Sequence, residues 1–376
     1  MKKVLFVATV VKTHIMEFHI PYLKMFKEMG WETAVAARND YENPTDCAIP
    51  YCDIYYNILF GRNPLKSGNL KAYKSLKRII DEGGYDIIHC HTPVGAMLTR
   101  LAARQARKDG TKVFYTAHGF HFYKGAPTIN WLLYYPVEKW LSRYTDVLIT
   151  INREDYERAK TFKAGKVCYI PGVGVDLKKF AATEEIHKEK RRWLCTAFGI
   201  PNDATILLSV GEVNKNKNHR IVIEALGQLG RKDIYYVICG CGPLTDRYKK
   251  LSNQLNIGQQ VILAGYRMDI ADFYKAADIF VFPSFREGLP VSVMEAMASG
   301  LPVIATRIRG SSDIIKDKEN GILLEPSDVR GFADAIKTVC SDKKMICKMA
   351  AENVRCAKGF DLSEVMERYK NIYIKA

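Results

Sequence analysis

Long apolar runs are missing: no stretch of the 376 residues approaches the ~18 uncharged apolar residues of a membrane-spanning helix, which excludes an integral helical membrane protein. CxxC spacing is missing too. Ten cysteines are present, yet no pair is spaced for a zinc or dithiol site, and the set reads as reduced thiols of an intracellular core. There is no internal repeat and no low-complexity tract. With 48% hydrophobic and 26% charged residues the composition is that of an ordinary folded protein, which excludes disorder, and the length predicts two domains. A signal peptide is not expected: Lys2 and Lys3 precede the apolar run Val4 to Val11, but Lys12 ends it and no small-residue cleavage site follows.

Acidic residues are absent from Asn57 to Ile80, where Arg62, Lys66, Lys71, Lys74, Lys77 and Arg78 fall. The basic character resumes at Arg100, Arg104, Arg107 and Lys108, so most of the net +15 lies in the first half. Such a face attracts phosphates, whether of nucleic acid or of anionic lipid. Nucleic acid is the weaker choice, because there is no RNP1 sequence, no C2H2 spacing and no basic region running into heptads. The stretch Trp131-Leu132-Leu133-Tyr134-Tyr135-Pro136-Val137-Glu138-Lys139-Trp140-Leu141 suits a membrane interface; it equally suits a buried aromatic stripe.

Short β-branched runs alternate with longer amphipathic stretches. They fall at 4–8, 33–37, 86–89, 112–116 and 147–150, then at 206–210, 235–239, 261–264, 279–282, 303–305 and 322–324. This alternation predicts two α/β domains built on parallel sheets. Pro171-Gly172-Val173-Gly174 and the charged segment Thr183 to Trp193 read as a linker and a connecting helix. The boundary is therefore expected near 175–200, with domains at 1–180 and 181–376 and a terminal helix near 360–376 able to pack back on the first. Ligands of open parallel sheets sit outside the carboxyl ends of the strands, so the loops there carry the chemistry and the cleft between the sheets is the expected site.

The most informative stretch runs from Phe282-Pro283-Ser284 through Glu287-Gly288-Leu289-Pro290 into a helix that holds Glu295 and closes at Gly300. Pro290 suits the first helical position, and the free N–H groups of Val291 and Ser292 would face an incoming anion. Two carboxylates beside a phosphate site suit sugar hydroxyls rather than phosphate. A cation is offered by the segment Gly211 to His219, with Lys217 the first choice; the plain alternative is that Lys215 and Lys217 are surface charges. Six of the eight histidines form three close pairs, His14 and His19, His89 and His91, His118 and His121, each next to the end of a predicted strand. Neither HExxH nor a Cys/His zinc spacing occurs, so these are expected to line a substrate cleft without a metal. Gly240-Cys241-Gly242 starts like a dinucleotide fingerprint, but Thr245 stands where the third glycine is needed, which argues against a dehydrogenase.

Glu287 and Glu295 form an E-x7-E pattern, preceded by Phe282-Pro283-Ser284 and followed by Ala296-Met297-Ala298-Ser299-Gly300-Leu301-Pro302-Val303-Ile304-Ala305. Together with Tyr115-Thr116-Ala117-His118-Gly119, this resembles the retaining glycosyltransferases of family 4, closest to bacterial capsular and exopolysaccharide enzymes. The resemblance implies a GT-B fold, two Rossmann-like domains facing a central cleft. It also implies a nucleotide-sugar donor on the second domain, with Lys217 near Gly211 on the diphosphate, Glu295 on the ribose, and Glu287 with the Gly288 and Leu289 amides on the sugar. Gly265-Tyr266-Arg267 matches the base-reading loop, and His118 matches a histidine near the reacting carbon. His14, His19, His91 and His121 are then acceptor-side candidates. Transfer with retention, without metal or other cofactor, is implied.

Three departures stand out. Glu212 replaces a frequent diphosphate arginine, for which Lys215 or Arg220 could substitute. The segment Val10 to His14 replaces a glycine pair, and Pro290 lacks an amide that glycine would supply. The expectation is a cytoplasmic enzyme at the inner membrane face, moving a hexose or N-acetylhexosamine from a UDP-sugar to a lipid-linked or saccharide acceptor. A sugar-nucleotide 2-epimerase of the same fold and a basic, non-catalytic lipid- or nucleic-acid-binding protein are the alternatives.

Overall fold

The computed structural model describes residues 1–61, 63 and 67–375, and the chain divides into two compact units. Arg62 and Lys66 of the basic stretch lie outside the described residues. The first unit takes Met1–Val173 and the described residues from Val365 on; the second takes Gly174–Glu364. Residues 174–180, expected with the first domain, belong to the second, because Val175 bridges Asp361 and its carbonyl accepts from the Leu362 N–H at 3.0 Å.

The first sheet contains β1 (Lys3–Val10), β2 (Glu32–Arg38), β3 (Ile54–Asn57), β4 (Ile87–Cys90), β5 (Lys112–Ala117), β6 (Val147–Thr150) and β7 (Lys166–Tyr169), all parallel in the order β3-β2-β1-β4-β5-β6-β7. The central strands are buried on both faces, which is why they read as unbroken apolar runs. The last helix, Leu362–Ile374, sends Tyr369 and Tyr373 into this core: Tyr369 lies edge-on to Tyr22 at 4.7 Å, and the Tyr373 hydroxyl is 2.6 Å from Nδ1 of His89.

The second sheet contains β8 (Thr205–Val210), β9 (Ile234–Cys239), β10 (Val261–Gly265), β11 (Ile279–Phe282), β12 (Val303–Thr306) and β13 (Gly321–Leu324), parallel in the order β10-β9-β8-β11-β12-β13. The charged segment after the linker forms the helix Glu184–Phe198, capped by the Thr183 side chain on the Ile186 N–H and ended by Gly199 in the left-handed region. Each sheet reverses its winding once, between β1 and β4 and between β8 and β11. Those two reversals are where a doubly wound sheet opens a crevice for ligand.

The basic face needs two corrections. Lys71, Lys74 and Arg78 do stand on the exposed side of the helix Gly68–Gly83, whose Ala72, Leu76 and Ile80 are buried. Arg100, however, is 1% exposed, stacked 4.2 Å over the Tyr115 ring and forked onto Glu138 at 2.9 and 3.2 Å. Arg107 is bound to Asp146 at 2.9 Å. Both are structural cations rather than parts of a phosphate-attracting surface. All ten cysteines are unpaired, and no helix among the described residues is long and apolar enough to cross a membrane.

Candidate active site

In the second unit the loop after β8 and the loop after β11 flank the winding reversal. Gly211 takes φ +151°, and a Cβ there would lie 2.9 Å from Cε of Lys217, so a glycine lets the lysine fold back over the strand end. Asn214 Oδ1 accepts from the Lys217 N–H at 3.0 Å, and Asn218, itself left-handed, donates to the carbonyls of Pro283 and Pro326. The loops are joined further by the Phe285 N–H donating to the Asn216 carbonyl at 2.8 Å. The result is an ion pair across the crevice: Lys217 Nζ lies 2.8 Å from Oε1 of Glu287, each side chain 21% exposed.

The following helix spans Val291–Ala298, with Pro290 at its N-cap rather than at the first helical position expected. Its opening amides, those of Val291 and Ser292, have no intrahelical acceptor. Glu295 comes about a turn and a half in, partly exposed, and its Oε2 accepts from the buried Tyr274 hydroxyl at 2.9 Å. Gly288 is partly exposed and Leu289 is buried. Gly240 and Gly242 have a packing reason rather than a dinucleotide one: a Cβ at Gly240 would stand 2.0 Å from the Gly211 carbonyl oxygen, and one at Gly242 would stand 2.4 Å from that of Val213.

The cations proposed to replace the arginine fare unequally. Arg220 is held by Glu224 at 2.7 Å along its own helix, and Lys215 is exposed. Glu212 is also exposed, its carboxylate accepting from Asn214 Nδ2 at 2.8 Å. The sequence reading missed Arg309, whose Nε donates to the Glu287 carbonyl at 3.2 Å. Gly310 permits that approach, since a Cβ there would sit 2.6 Å from the Gly288 oxygen. Among the nominated base-reading residues, Tyr266 is exposed while Arg267 is doubly bonded to Asp269 at 2.8 and 2.6 Å.

In the first unit the loops after β1, β4 and β5 meet at the other reversal. His14, His19, His91 and His118 place one ring nitrogen each within 4.8 Å of all the others. His91 Nδ1 is 3.3 Å from His118 Nε2, and the ring centroids of His19 and His91 lie 3.9 Å apart at a tilt of 36°. Burial lowers the pKa of all four: His14 to about 3, helped by His118, His118 to about 4, and His19 and His91 well below the usual range with further depression from neighbouring imidazoles. His89 adjoins the group, pushed to about 3 by burial and then His118. His121 does not join it; its ring stacks on Tyr134 at 4.7 Å.

Thr92, unnoticed in the sequence, holds φ +62°, an outlier for a β-branched residue, while its Oγ1 sits 2.6 Å from that of Thr9. Thr9, Thr92, His14 and His121 line a cavity of about 890 Å³ whose far wall is Leu133, Tyr134 and Val137 of the helix Thr128–Leu141. That helix splits the aromatic stretch in two. Trp131 and Tyr135 pack on the core, whereas Ile129, Leu132, Leu133, Val137 and Trp140 form an outward apolar stripe.

Two Rossmann-like sheets, each with its polar loops at the winding reversal, define a doubly wound α/β scaffold. Residues 3–152 match the family described as "Glycosyl transferase 4-like" and residues 196–355 match "Glycosyl transferases group 1". The chain is 44% identical over 376 residues to a putative glycosyltransferase, EpsD, of Bacillus subtilis, covering 99% of this chain and 96% of that protein. It is 30% identical over 316 residues to an Escherichia coli UDP-Gal:α-D-GlcNAc-diphosphoundecaprenol α-1,3-galactosyltransferase, covering 81% and 79%. The Anabaena Alr3699/HepE structure in complex with UDP and glucose superposes with a TM-score of 0.81 at 18% identity, covering all of both chains. A Rickettsia africae glycosyltransferase structure gives 0.79 at 20% identity, covering 100% and 98%. This chain belongs to glycosyltransferase family 4: it is a glycosyltransferase with the GT-B fold.

Proposed function

We propose that this glycosyltransferase moves a hexose or N-acetylhexosamine from a UDP-sugar to a lipid-linked saccharide in exopolysaccharide assembly, with retention of anomeric configuration and no metal in the transfer step. The observation that carries this reading is the Lys217–Glu287 pair across the second winding reversal, eight positions before Glu295. A donor diphosphate would compete with Glu287 for the Lys217 ammonium, gaining the opening amides of Val291 and Ser292 and the Arg309 guanidinium nearby. Glu287, so released, accepts from the sugar hydroxyls; Glu295 accepts from the ribose. The acceptor oxygen then attacks C1 on the face the diphosphate leaves, forming the new C1–O bond as the C1–O bond to phosphate breaks, and its proton passes to the departing phosphate oxygen. His118, held neutral, would approach the sugar as a hydrogen-bonding group rather than as a cation.

Two features support a lipid-linked acceptor. The apolar stripe on the helix Thr128–Leu141 suits an interfacial helix, with Lys139 and Arg143 beside it for anionic headgroups, and the cavity runs from that stripe to His14. The E. coli relative is named for a diphosphoundecaprenol substrate and a UDP-sugar. Docking at the cytoplasmic face of the membrane follows from that substrate class. A thermal-shift panel of UDP, GDP and ADP tests the donor: a ligand at 100 times its dissociation constant adds about 2.7 kcal/mol, so UDP should give the largest shift. A flat panel would refute the reading. Donor turnover that requires lipid acceptor separates transfer from epimerisation, which would proceed without it.

A further inference from the structure

We propose that His14, His19, His91 and His118 of the first unit form a binding site for one divalent transition-metal ion of zinc type, which ties the loop after β1 to those after β4 and β5. The group shares His118 with the transfer reading proposed above, but the ion itself takes no part in the transfer step. Its geometry carries it: four imidazoles from three loops offer nitrogens all within 4.8 Å of one another. Bonds of about 2.0–2.1 Å around a tetrahedral ion give nitrogen–nitrogen edges of about 3.3 to 3.4 Å. The His91 Nδ1 to His118 Nε2 distance is already 3.3 Å, and the nitrogens of the other two lie within 4.8 Å.

The chemistry of the donor set agrees. His19 is buried with neither ring nitrogen paired among the described residues, and the same holds for Nε2 of His14 and Nε2 of His91. A buried nitrogen that nothing meets is costly, and an ion held by His91 Nδ1 and His118 Nε2 would also meet His14 Nε2 and one nitrogen of His19. A neutral imidazole has one lone pair to give, and burial keeps these rings neutral. Nitrogen-only ligation suits zinc, nickel or copper and not magnesium or calcium, which require oxygen. His118 would bind through the nitrogen facing His91, leaving its other nitrogen for the role proposed in transfer.

The test uses the full chain, stripped with a chelator and dialysed, then titrated with Zn²⁺ and separately with Co²⁺. About one equivalent should bind, Co²⁺ should develop the visible absorption of a low-coordinate nitrogen site, and Zn²⁺ should raise Tm. His14→Ala, at a partly exposed position, and His19→Asn should each weaken binding about tenfold or more. Circular dichroism and a UDP shift retained by the variants separate lost ligation from lost folding. Saturable binding absent from the wild type, or unaltered in both folded variants, overturns the proposal. A UDP response in zinc-free protein distinguishes its failure from failure of the donor reading.

Discussion

At the first winding reversal the protein gathers imidazoles that burial keeps uncharged; at the second it gathers a lysine, an arginine and two carboxylates that keep contact with water. The scaffolds are alike, parallel strands with polar loops at their carboxyl ends, so the fold does not set the chemistry. Depth does. His19 and His91 are sealed among Phe6, Tyr22 and one another, where a charged ring would lose its hydration without an anion to replace it. Lys217 and Glu287 instead neutralise one another while leaving a fifth of each side chain exposed, an arrangement a charged ligand can enter and rearrange.

Substitutions can break this contrast, beginning with a charge that the first unit keeps buried. Arg100→Ala leaves Glu138 without its partner at 13% exposure and should cost about 3–5 kcal/mol in denaturant melts. Pairing Arg100→Met with Glu138→Leu should recover much of that loss. Glu287→Gln should lower turnover by about 10²- to 10³-fold, by analogy with loss of one polar contact to a transition state, while UDP still shifts Tm. Lys217→Ala should weaken UDP by about one to two decades, the worth of a charge-assisted hydrogen bond, measured by calorimetry. The smallest effect is silent at neutral pH. His219 is pushed to about 3 by burial and by Lys217, so the unfolded chain takes up a proton that the folded one refuses. Stability should therefore fall as pH drops from about 6.5 towards 3, a trend the buried histidines of the first unit share, and His219→Gln should remove only its own part of that slope in acid melts.

The two sites were unequally legible. Glu287, Pro290 and Glu295 sit on one loop and the helix that follows it, so local spacing alone revealed the donor-side pattern. The histidine pairs could be seen, but not which would meet: His118 and His121 are three apart, yet only the first turns into the cluster, and His89 adjoins it from within a strand without joining it. Arg309 and Thr92 gave no signal, because the contact of one and the backbone strain of the other exist only after the sheets form. The edge strands β3 and β7 were likewise missed; half-exposed, they lack the apolar runs that double burial imposes on their neighbours.

Alternation of buried strands with amphipathic helices, glycines at close approaches and the acidic pair around one helix start were determined by the sequence, since each depends on residues near in the chain. Tertiary structure alone decided which charges are structural, which rings converge and where Lys217 finds its partner. Those outcomes depend on the order in which parallel strands are laid side by side, and strand order brings together loops that are remote in sequence.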